Sequence, residues 1–255
     1  MKDPVVIIGL GEMGGVFARG FLRLGHPVYP LTRTEQPNEL ATRLPEPALV
    51  LIAVAEGDLQ SVISDLPEAW RSRTCLLQNE LLPADWQSLD DPTVISVWFE
   101  KKPGMDYKVI IPSPVHGPGA QLVSDALAAI NIPTKVLGSP GELLFELVLK
   151  NLYILTSNIA GLRVGGTVGE LWSDHQPFAQ EVVTDVLALQ EAMTGSHFDS
   201  SEMTREMLKA FDGDPDHKCM GRSAPARLAR ALEQACRLGI TLPTLENIAQ
   251  EQAKN

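Results

Sequence analysis

The sequence is poor in basic residues and lacks long apolar runs. Its 255 residues include 21 Lys and Arg against 32 Asp and Glu, for a net charge of −11. This surplus of negative charge repels phosphate backbones and anionic lipids, which disfavours nucleic acid or a membrane as the partner. The longest uninterrupted apolar run covers residues 48–55, whereas a transmembrane helix needs roughly 20 such residues. A small molecule is the partner that these absences leave.

Cysteine is scarce as well. Cys75, Cys219 and Cys236 are odd in number and widely spaced, so they form neither a disulfide framework nor a metal-ligand pattern. The five histidines show no metal spacing either, and no metal site is predicted. Free thiols are typical of a reducing compartment, so we expect a cytoplasmic protein. With 44% hydrophobic and 21% charged residues, the composition is that of a globular chain.

The first half of the chain alternates short β-branched runs with helical patterns, which indicates βαβ units and a parallel sheet. After Gly138-Ser139-Pro140-Gly141 the pattern becomes helical throughout. We therefore predict an α/β domain at 1–138 and an all-α domain at 139–255. The predicted strands cover 5–10, 28–31, 48–55, 74–78, 93–99, 109–111 and 134–137. The predicted helices of the second half cover 142–162, 177–194, 201–211, 225–238 and 245–254.

A glycine fingerprint follows the first apolar strand and opens an amphipathic helix. It reads Gly9-Leu10-Gly11-Glu12-Met13-Gly14, which matches G-x-G-x-x-G in the context that makes this motif specific. Gly9 allows a tight turn, Gly11 lets a diphosphate approach the backbone, and Gly14 lets the helix pack closely on the strand. The helix N-terminus then presents its free N–H groups to the phosphates. We predict a Rossmann dinucleotide-binding domain with these six residues at the cofactor.

The choice between NAD and NADP is usually made after the second strand, where an acidic residue binds the ribose 2′-hydroxyl of NAD. The segment 29–34 has no acidic residue but contains Thr32 and Arg33. A hydroxyl and a guanidinium suit a 2′-phosphate, so NADP(H) is the predicted cofactor.

Lys150 interrupts a helix that is otherwise apolar on nearly all sides. A charged side chain in such a place has either a partner, a function or a route to solvent. Ser157 and Asn158 follow on the same helix face. Because eight residues of helix span roughly 12 Å, Lys150 and Asn158 can line one cleft but cannot hold the same atom.

Several segments, in the same order along the chain, resemble the ketopantoate reductases (2-dehydropantoate 2-reductases). The glycine fingerprint opens the resemblance, and 76–80 looks like that family's strand ending in an asparagine beside the nicotinamide. Lys150 stands where the family carries its catalytic lysine, and Asn158 falls where a second family asparagine lies. The segment 237–243 is similar to the family's C-terminal helix end, Gly-Ile before a proline.

The resemblance implies a fold, a reaction and site residues. The fold would be a Rossmann domain followed by an all-α domain like the C-terminal domain of 6-phosphogluconate dehydrogenase. The apolar helices in the second half of this chain also suggest a homodimer. The reaction would be reduction of ketopantoate to pantoate by NADPH, a step of pantothenate biosynthesis. Lys150 would donate the proton and Asn79 would contact the cofactor. The resemblance and the helix face together place Asn158, Ser157 and Ser223 at a small keto-acid substrate.

Three departures from the family keep other functions open. Ile154 replaces a family asparagine, and Ala55 stands where the family has a lysine. The segment 221–225 has no counterpart of a substrate-binding glutamate, and Ser223 is its nearest residue. Two alternatives therefore stand beside the keto-acid reductase. One is an enzyme like 3-hydroxyisobutyrate dehydrogenase or an imine reductase, and the other is an NADP-binding protein without catalysis.

Overall fold

In a computed structural model of the chain, which describes residues 2–254, the polypeptide divides into two compact units, Met1–Leu147 and Val148–Asn255. The strands are β1 (Val5–Ile8), β2 (Val28–Leu31), β3 (Leu49–Ile52), β4 (Thr74–Gln78), β5 (Thr93–Ser96), β6 (Phe99–Glu100), β7 (Lys108–Val109), β8 (Ser113–His116) and β9 (Thr134–Val136). The helices are α1 (Glu12–Arg23), α2 (Pro37–Arg43), α3 (Leu59–Ser64), α4 (Glu68–Arg71), α5 (Ala120–Ala128), α6 (Pro140–Val164), α7 (Val168–Asp174), α8 (Gln176–Thr194), α9 (Ser200–Gly213), α10 (Ala224–Leu238) and α11 (Pro243–Gln252). An α/β unit thus precedes a helical one, which confirms the predicted fold class.

The first unit is built on a seven-stranded sheet in the order β2-β1-β3-β4-β5-β8-β9. Neighbouring strands from β2 to β5 are parallel, as predicted. The exception is β8, which pairs antiparallel with β5, while β9 pairs parallel with β8. Strand β8 escaped prediction because its sequence, Ser-Pro-Val-His, reads as a turn.

Helices α1 and α5 cover one face of the sheet, where apolar residues of β1, β3 and β5 form a single core with Phe17 and Phe21. The two helices approach closely at Gly20, where an added Cβ would lie 2.4 Å from the Ala126 carbonyl oxygen. The central strands β1 and β3 are buried along their whole length, as expected for parallel strands covered on both faces. This packing holds the carboxyl ends of the strands in a fixed arrangement.

The second unit contains helices, and the predicted boundary at residue 139 falls one residue before α6 begins. The two compact units divide within α6, between Leu147 and Val148. Helix α7 lies between the first two helices predicted for this half, in a segment for which the sequence pattern predicted none. Thr167 and Glu170 form a capping box, in which each side chain accepts a hydrogen bond from the other's backbone N–H. This pattern of Thr and Glu three residues apart is a helix-start signal.

Helix α6 is long and apolar enough, by length and composition alone, to cross a membrane. Of its most apolar 18-residue stretch, 78% is buried within the fold. That degree of burial is what a central core helix shows.

The three cysteines are free in the described part of the chain. Cys75 and Cys219 are buried, and Cys236 is exposed. Burial raises the pKa of the Cys75 thiol, and burial together with the charge of Glu170 raises the pKa of Cys219 to about 12. Both buried thiols therefore stay protonated and unreactive near neutral pH.

Candidate functional site

A cleft lies at the carboxyl ends of β1 and β3 in the first unit. From β1 the chain runs to β2 on one side and later returns to β3 on the other. Ligands of doubly wound sheets bind at such a switch point, outside the carboxyl ends of the strands. The cleft has a volume of about 800 Å³ and is lined by the loops after β1, β2 and β3.

The glycines of the fingerprint shape the floor of this cleft. Gly9 has φ +91°, a conformation that favours glycine, and a Cβ there would lie 2.6 Å from the Ala53 carbonyl oxygen. A Cβ on Gly14 would lie 2.2 Å from the Gly9 carbonyl oxygen. At Gly11, by contrast, an added Cβ would meet no described atom within 4 Å. The loop is thus closed toward the protein at Gly9 and Gly14 and open toward the cleft at Gly11.

Helix α1 points its N-terminus at this loop. Its N-cap residue is Gly11, so no side chain caps the first turn. The N–H groups of an uncapped first turn, with the positive end of the helix dipole, are suited to a diphosphate. Residues 9–14 therefore fit a dinucleotide by their backbone, with Leu10 and Glu12 exposed at the loop.

The loop after β2 contains an acidic residue that the sequence analysis missed. Thr32 and Arg33 line the cleft, and so does Glu35, one residue beyond the segment 29–34. A turn brings the Glu35 carboxylate back to the Thr32 backbone N–H at 2.9 Å and to the Thr32 hydroxyl at 3.1 Å. The Arg33 side chain is 92% exposed and lies 3.4 Å from the Asp58 carboxylate. Thr32 and Arg33 thus already have acidic partners.

Asn79 directly follows β4, at the same sheet edge as the glycine loop because β1, β3 and β4 are parallel. Its side chain is exposed and lies outside the lining of the 800 Å³ cleft. Next to it, Gln78 is buried, and its side-chain oxygen has no hydrogen-bond partner among the described residues.

In the second unit, Lys150 lies on α6 and is 6% exposed. Its Nζ atom is 5.6 Å from the centre of the Tyr153 ring, a favourable distance for a cation–π contact. One turn further along the same face lies Ile154, which is 8% exposed. The structure therefore places Lys150 inside the fold and does not leave it as an exposed surface charge.

Asn158 is joined to a residue that is distant in sequence. The Nη1 atom of Arg227, on α10, donates to the Asn158 Oδ1 atom at 2.9 Å. The chain between them also approaches α6, since a Cβ on Gly161 would lie 2.8 Å from the Cys219 Cβ atom. Because Oδ1 accepts from Arg227, the Asn158 amide has a defined orientation, with Nδ2 on its other side. Arg227 is one of several basic residues along α10, and its side chain is half-buried.

The other two predicted substrate residues differ in accessibility. Ser157 is buried, and its hydroxyl donates to the Tyr153 carbonyl oxygen at 2.7 Å, four residues earlier on the helix. It can offer a ligand only an acceptor, since its proton is used within α6. Ser223 is exposed and precedes α10 as its N-cap residue, four positions before Arg227. Both residues remain predictions as substrate contacts.

No family model and no curated protein matches the sequence, but solved structures match nearly its whole length. A dimeric ketopantoate reductase from Staphylococcus aureus is 15% identical, with a TM-score of 0.66 over 97% of this chain and 96% of that one. A 2-dehydropantoate 2-reductase from Methylococcus capsulatus is 11% identical, with a TM-score of 0.70 over 98% and 96%. D-mandelate dehydrogenase in complex with NADH is 12% identical, with a TM-score of 0.65 over 97% and 96%. The chain therefore has the ketopantoate reductase fold, as the sequence resemblance implied.

Proposed function

We propose that this chain, with the fold of the ketopantoate reductases, is an NADPH-dependent reductase of a small 2-keto acid in which Lys150 donates the proton. The observation that carries the proposal is the burial of Lys150 within α6. A proton donor for a reduced ketone needs an ammonium group in a place with little water, and the burial of Lys150 matches that requirement.

The chemistry divides between cofactor and protein. When bound, the reduced nicotinamide supplies a hydride with its electron pair. As the carbonyl carbon accepts that pair, the C=O π bond breaks and its electrons move to oxygen. The Lys150 ammonium stabilises the developing alkoxide and gives it a proton, which leaves a neutral amine that solvent reprotonates. The product is the 2-hydroxy acid.

The first unit supports dinucleotide binding through its backbone. The crowded positions Gly9 and Gly14, the open position Gly11 and the uncapped α1 N-terminus form a cradle for a diphosphate. Asn79, at the same sheet edge, is the proposed contact further along the cofactor.

Specificity for NADPH is the proposal drawn from Thr32 and Arg33, whereas Glu35 favours NADH as a second candidate. A carboxylate beside Thr32 repels a 2′-phosphate and accepts hydrogen bonds from a ribose diol. Dissociation constants of both cofactors for wild type, Arg33→Ala and Glu35→Gln would separate the two. If NADPH is the cofactor, Arg33→Ala weakens NADPH binding by about tenfold and leaves NADH binding unchanged. If Glu35→Gln weakens NADH binding and Arg33→Ala changes neither affinity, the 2′-phosphate role of Arg33 is wrong.

The substrate side favours a 2-keto acid with an apolar substituent. Ile154 presents an apolar side chain on the Lys150 face of α6 and replaces an amide that would bind a hydroxyl. Benzoylformate, the oxidised form of mandelate, and ketopantoate, which carries a hydroxyl, are therefore the two substrates to compare. Higher kcat/KM for benzoylformate would support the apolar assignment, and a preference for ketopantoate would contradict it.

The decisive experiment follows the absorbance of NADPH and NADH with both keto acids, for wild type and Lys150→Met. We expect kcat to fall by roughly a thousandfold in Lys150→Met, as for loss of a general acid, while the dissociation constant of the cofactor changes little. Lys209→Met is the matched control, because Lys209 is an exposed lysine of the same unit that pairs with Glu206 at 2.7 Å. It should turn over like wild type.

Two outcomes would lead to the alternatives. Full activity of Lys150→Met would make Lys150 a structural residue and remove the proposed mechanism. Cofactor binding by the wild type without turnover of either keto acid would favour an imine substrate, a 3-hydroxy acid or a non-catalytic binding protein. A homodimer, a cytoplasmic location and a step in pantothenate synthesis stay predictions.

A further inference from the structure

The glycine loop contains a charge that opposes its proposed ligand. Glu12 occupies the second variable position of the fingerprint and is the first residue of α1. Side chains of a helix lean toward its N-terminus, so the Glu12 carboxylate lies beside the N–H groups proposed to hold a diphosphate. An unpaired carboxylate there would repel each negatively charged phosphate that approaches.

A lysine from a distant part of the same unit pairs with this carboxylate. Lys101 follows β6, and its Nζ atom lies 2.9 Å from Glu12 Oε2 and 2.9 Å from the Lys102 carbonyl oxygen. The Lys101 side chain is only 18% exposed, so packing limits its position. A cavity of about 330 Å³ brings Gly11, Glu12 and Lys101 into one lining. The ammonium group is thus held at the glycine loop.

We propose that Lys101 is a further cofactor-binding residue, which neutralises Glu12 and supplies positive charge beside the cofactor diphosphate. The inference rests on the proposed dinucleotide binding at residues 9–14. The glycine loop itself offers backbone groups, whose partial charges do not cancel a full carboxylate charge. Arg19, which lines the same cavity, pairs with Asp106 at 3.7 Å. Lys101 therefore decides whether the glycine loop faces the diphosphate as a neutral or a negative surface.

A purely structural role for Lys101 makes a different prediction. The ion pair also joins the segment after β6 to α1, so its loss could change stability alone. Lys102 provides the matched control because it is the adjacent lysine, is 62% exposed and pairs with Glu100 at 3.2 Å. Lys102→Met removes the same charge from the same segment without touching Glu12.

The experiment measures dissociation constants of NADH and NADPH by fluorescence, together with the denaturant midpoint of each variant. We expect Lys101→Met to weaken binding of both cofactors by about tenfold and Lys102→Met to leave it unchanged. The double variant Glu12→Gln/Lys101→Met should bind within about threefold of wild type, because the repelling carboxylate is gone as well. In steady state, the cofactor KM of Lys101→Met should rise while kcat changes little.

Three results would overturn the inference. Lys101→Met could bind both cofactors like wild type, Lys102→Met could weaken binding equally, or the double variant could bind no better than Lys101→Met. In all three the wild type still binds a dinucleotide, so the proposed function survives. A wild type that binds neither cofactor would instead overturn the proposed function and this inference together.

Discussion

The two units arrange their candidate residues by different means. In the first unit the glycine loop is shaped by backbone: Gly9 and Gly14 lie against carbonyl oxygens, and the uncapped start of α1 supplies N–H groups. In the second unit the candidates are side chains, and a side chain from a remote segment holds one of them. Asn158 depends on Arg227, 69 positions later in the chain.

Polar side chains also join the helices of the second unit to one another. Asn151 of α6 donates to the Gln190 side chain of α8 at 2.8 Å. Asp185 of α8 accepts from the backbone N–H groups that begin α11, and Arg163 of α6 makes a bidentate pair with Glu251. The shape of a backbone-built site survives most side-chain changes but no added atom at its crowded glycines. A side-chain-built site can be dismantled one residue at a time.

The largest effect is expected at Gly14, compared with its neighbour Gly15. The Cβ of Gly14→Ala would lie 2.2 Å from the Gly9 carbonyl oxygen, so helix and loop must separate, at a cost of about 3 kcal/mol in the free energy of unfolding. Cofactor affinity should fall with it, because the loop moves. Gly15→Ala meets no described atom within 4 Å and should stabilise α1 by about 0.5–1 kcal/mol.

Urea unfolding and cofactor titration of both variants test this prediction. The two substitutions are the same and the positions are adjacent. Changes in unfolding free energy of opposite sign would therefore come from the different surroundings of the two glycines. Equal effects at the two positions would mean that close packing of helix and loop does not shape the site. The backbone would then not explain the arrangement of the first unit.

Whether a feature can be predicted from the sequence depends on whether local backbone patterns or distant side chains form it. The fingerprint and the strands β2 and β4 follow from local patterns, and their predicted bounds agree with the structure. Strand β8 was missed because it is stabilised by neighbours in the sheet, which its own four residues do not reveal. Glu35 lies one residue beyond the segment 29–34, and only the turn of the folded chain brings its carboxylate to Thr32.

Arg227 shows the limit more sharply. Basic residues along α10 look like a solvated face in the sequence, and nothing local distinguishes Arg227 from its neighbours. Its partner Asn158 is identified only by the path of the chain through residues 219–227. Side-chain sites assembled across long sequence separations therefore need the fold, whereas the glycine loop could be predicted without it.

The second effect concerns Asp185, the buried carboxylate at the start of α11. It accepts from the Thr244 N–H at 2.7 Å and the Leu245 N–H at 3.1 Å. Asp185→Ala leaves the buried Leu245 N–H and the half-buried Thr244 N–H without that partner, which should cost about 2 kcal/mol of unfolding free energy. The control is Asp199→Ala, which removes the cap at the start of α9, where Asp199 accepts from Glu202 N–H at 2.7 Å, and should cost about 1 kcal/mol. Equal losses of unfolding free energy in the two variants, measured by urea unfolding, would contradict a larger contribution from the buried Asp185.

A smaller effect is expected at Arg227, if the proposed function holds. Arg227→Met frees the Asn158 amide to rotate, so the substrate KM should rise by about tenfold, equivalent to about 1.4 kcal/mol, while kcat changes less. Arg227→Lys should recover part of the loss, since an ammonium can still donate to Oδ1. Arg205→Met is the control, because Arg205 is an exposed arginine of the same unit that pairs with Glu202 and Glu206. A KM unchanged in Arg227→Met would remove Asn158 from the substrate contacts.

The smallest effect expected is a pH dependence of stability that comes from Asp185 in the second unit. Burial raises the pKa of Asp185, and the backbone N–H groups of Thr244 and Leu245 only partly oppose it. The folded state therefore binds this proton more tightly than the unfolded chain, whose Asp pKa is about 3.9. The stabilising contribution is complete below that value and is lost as pH rises through the folded pKa. The unfolding free energy of wild type relative to Asp185→Asn should thus decline as pH rises above about 4 and through the raised pKa of Asp185. If the unfolding free energy of wild type relative to Asp185→Asn instead increases with pH, the two backbone N–H groups lower the pKa of Asp185 more than burial raises it. The second unit would then also depend on backbone groups, to stabilise the Asp185 carboxylate.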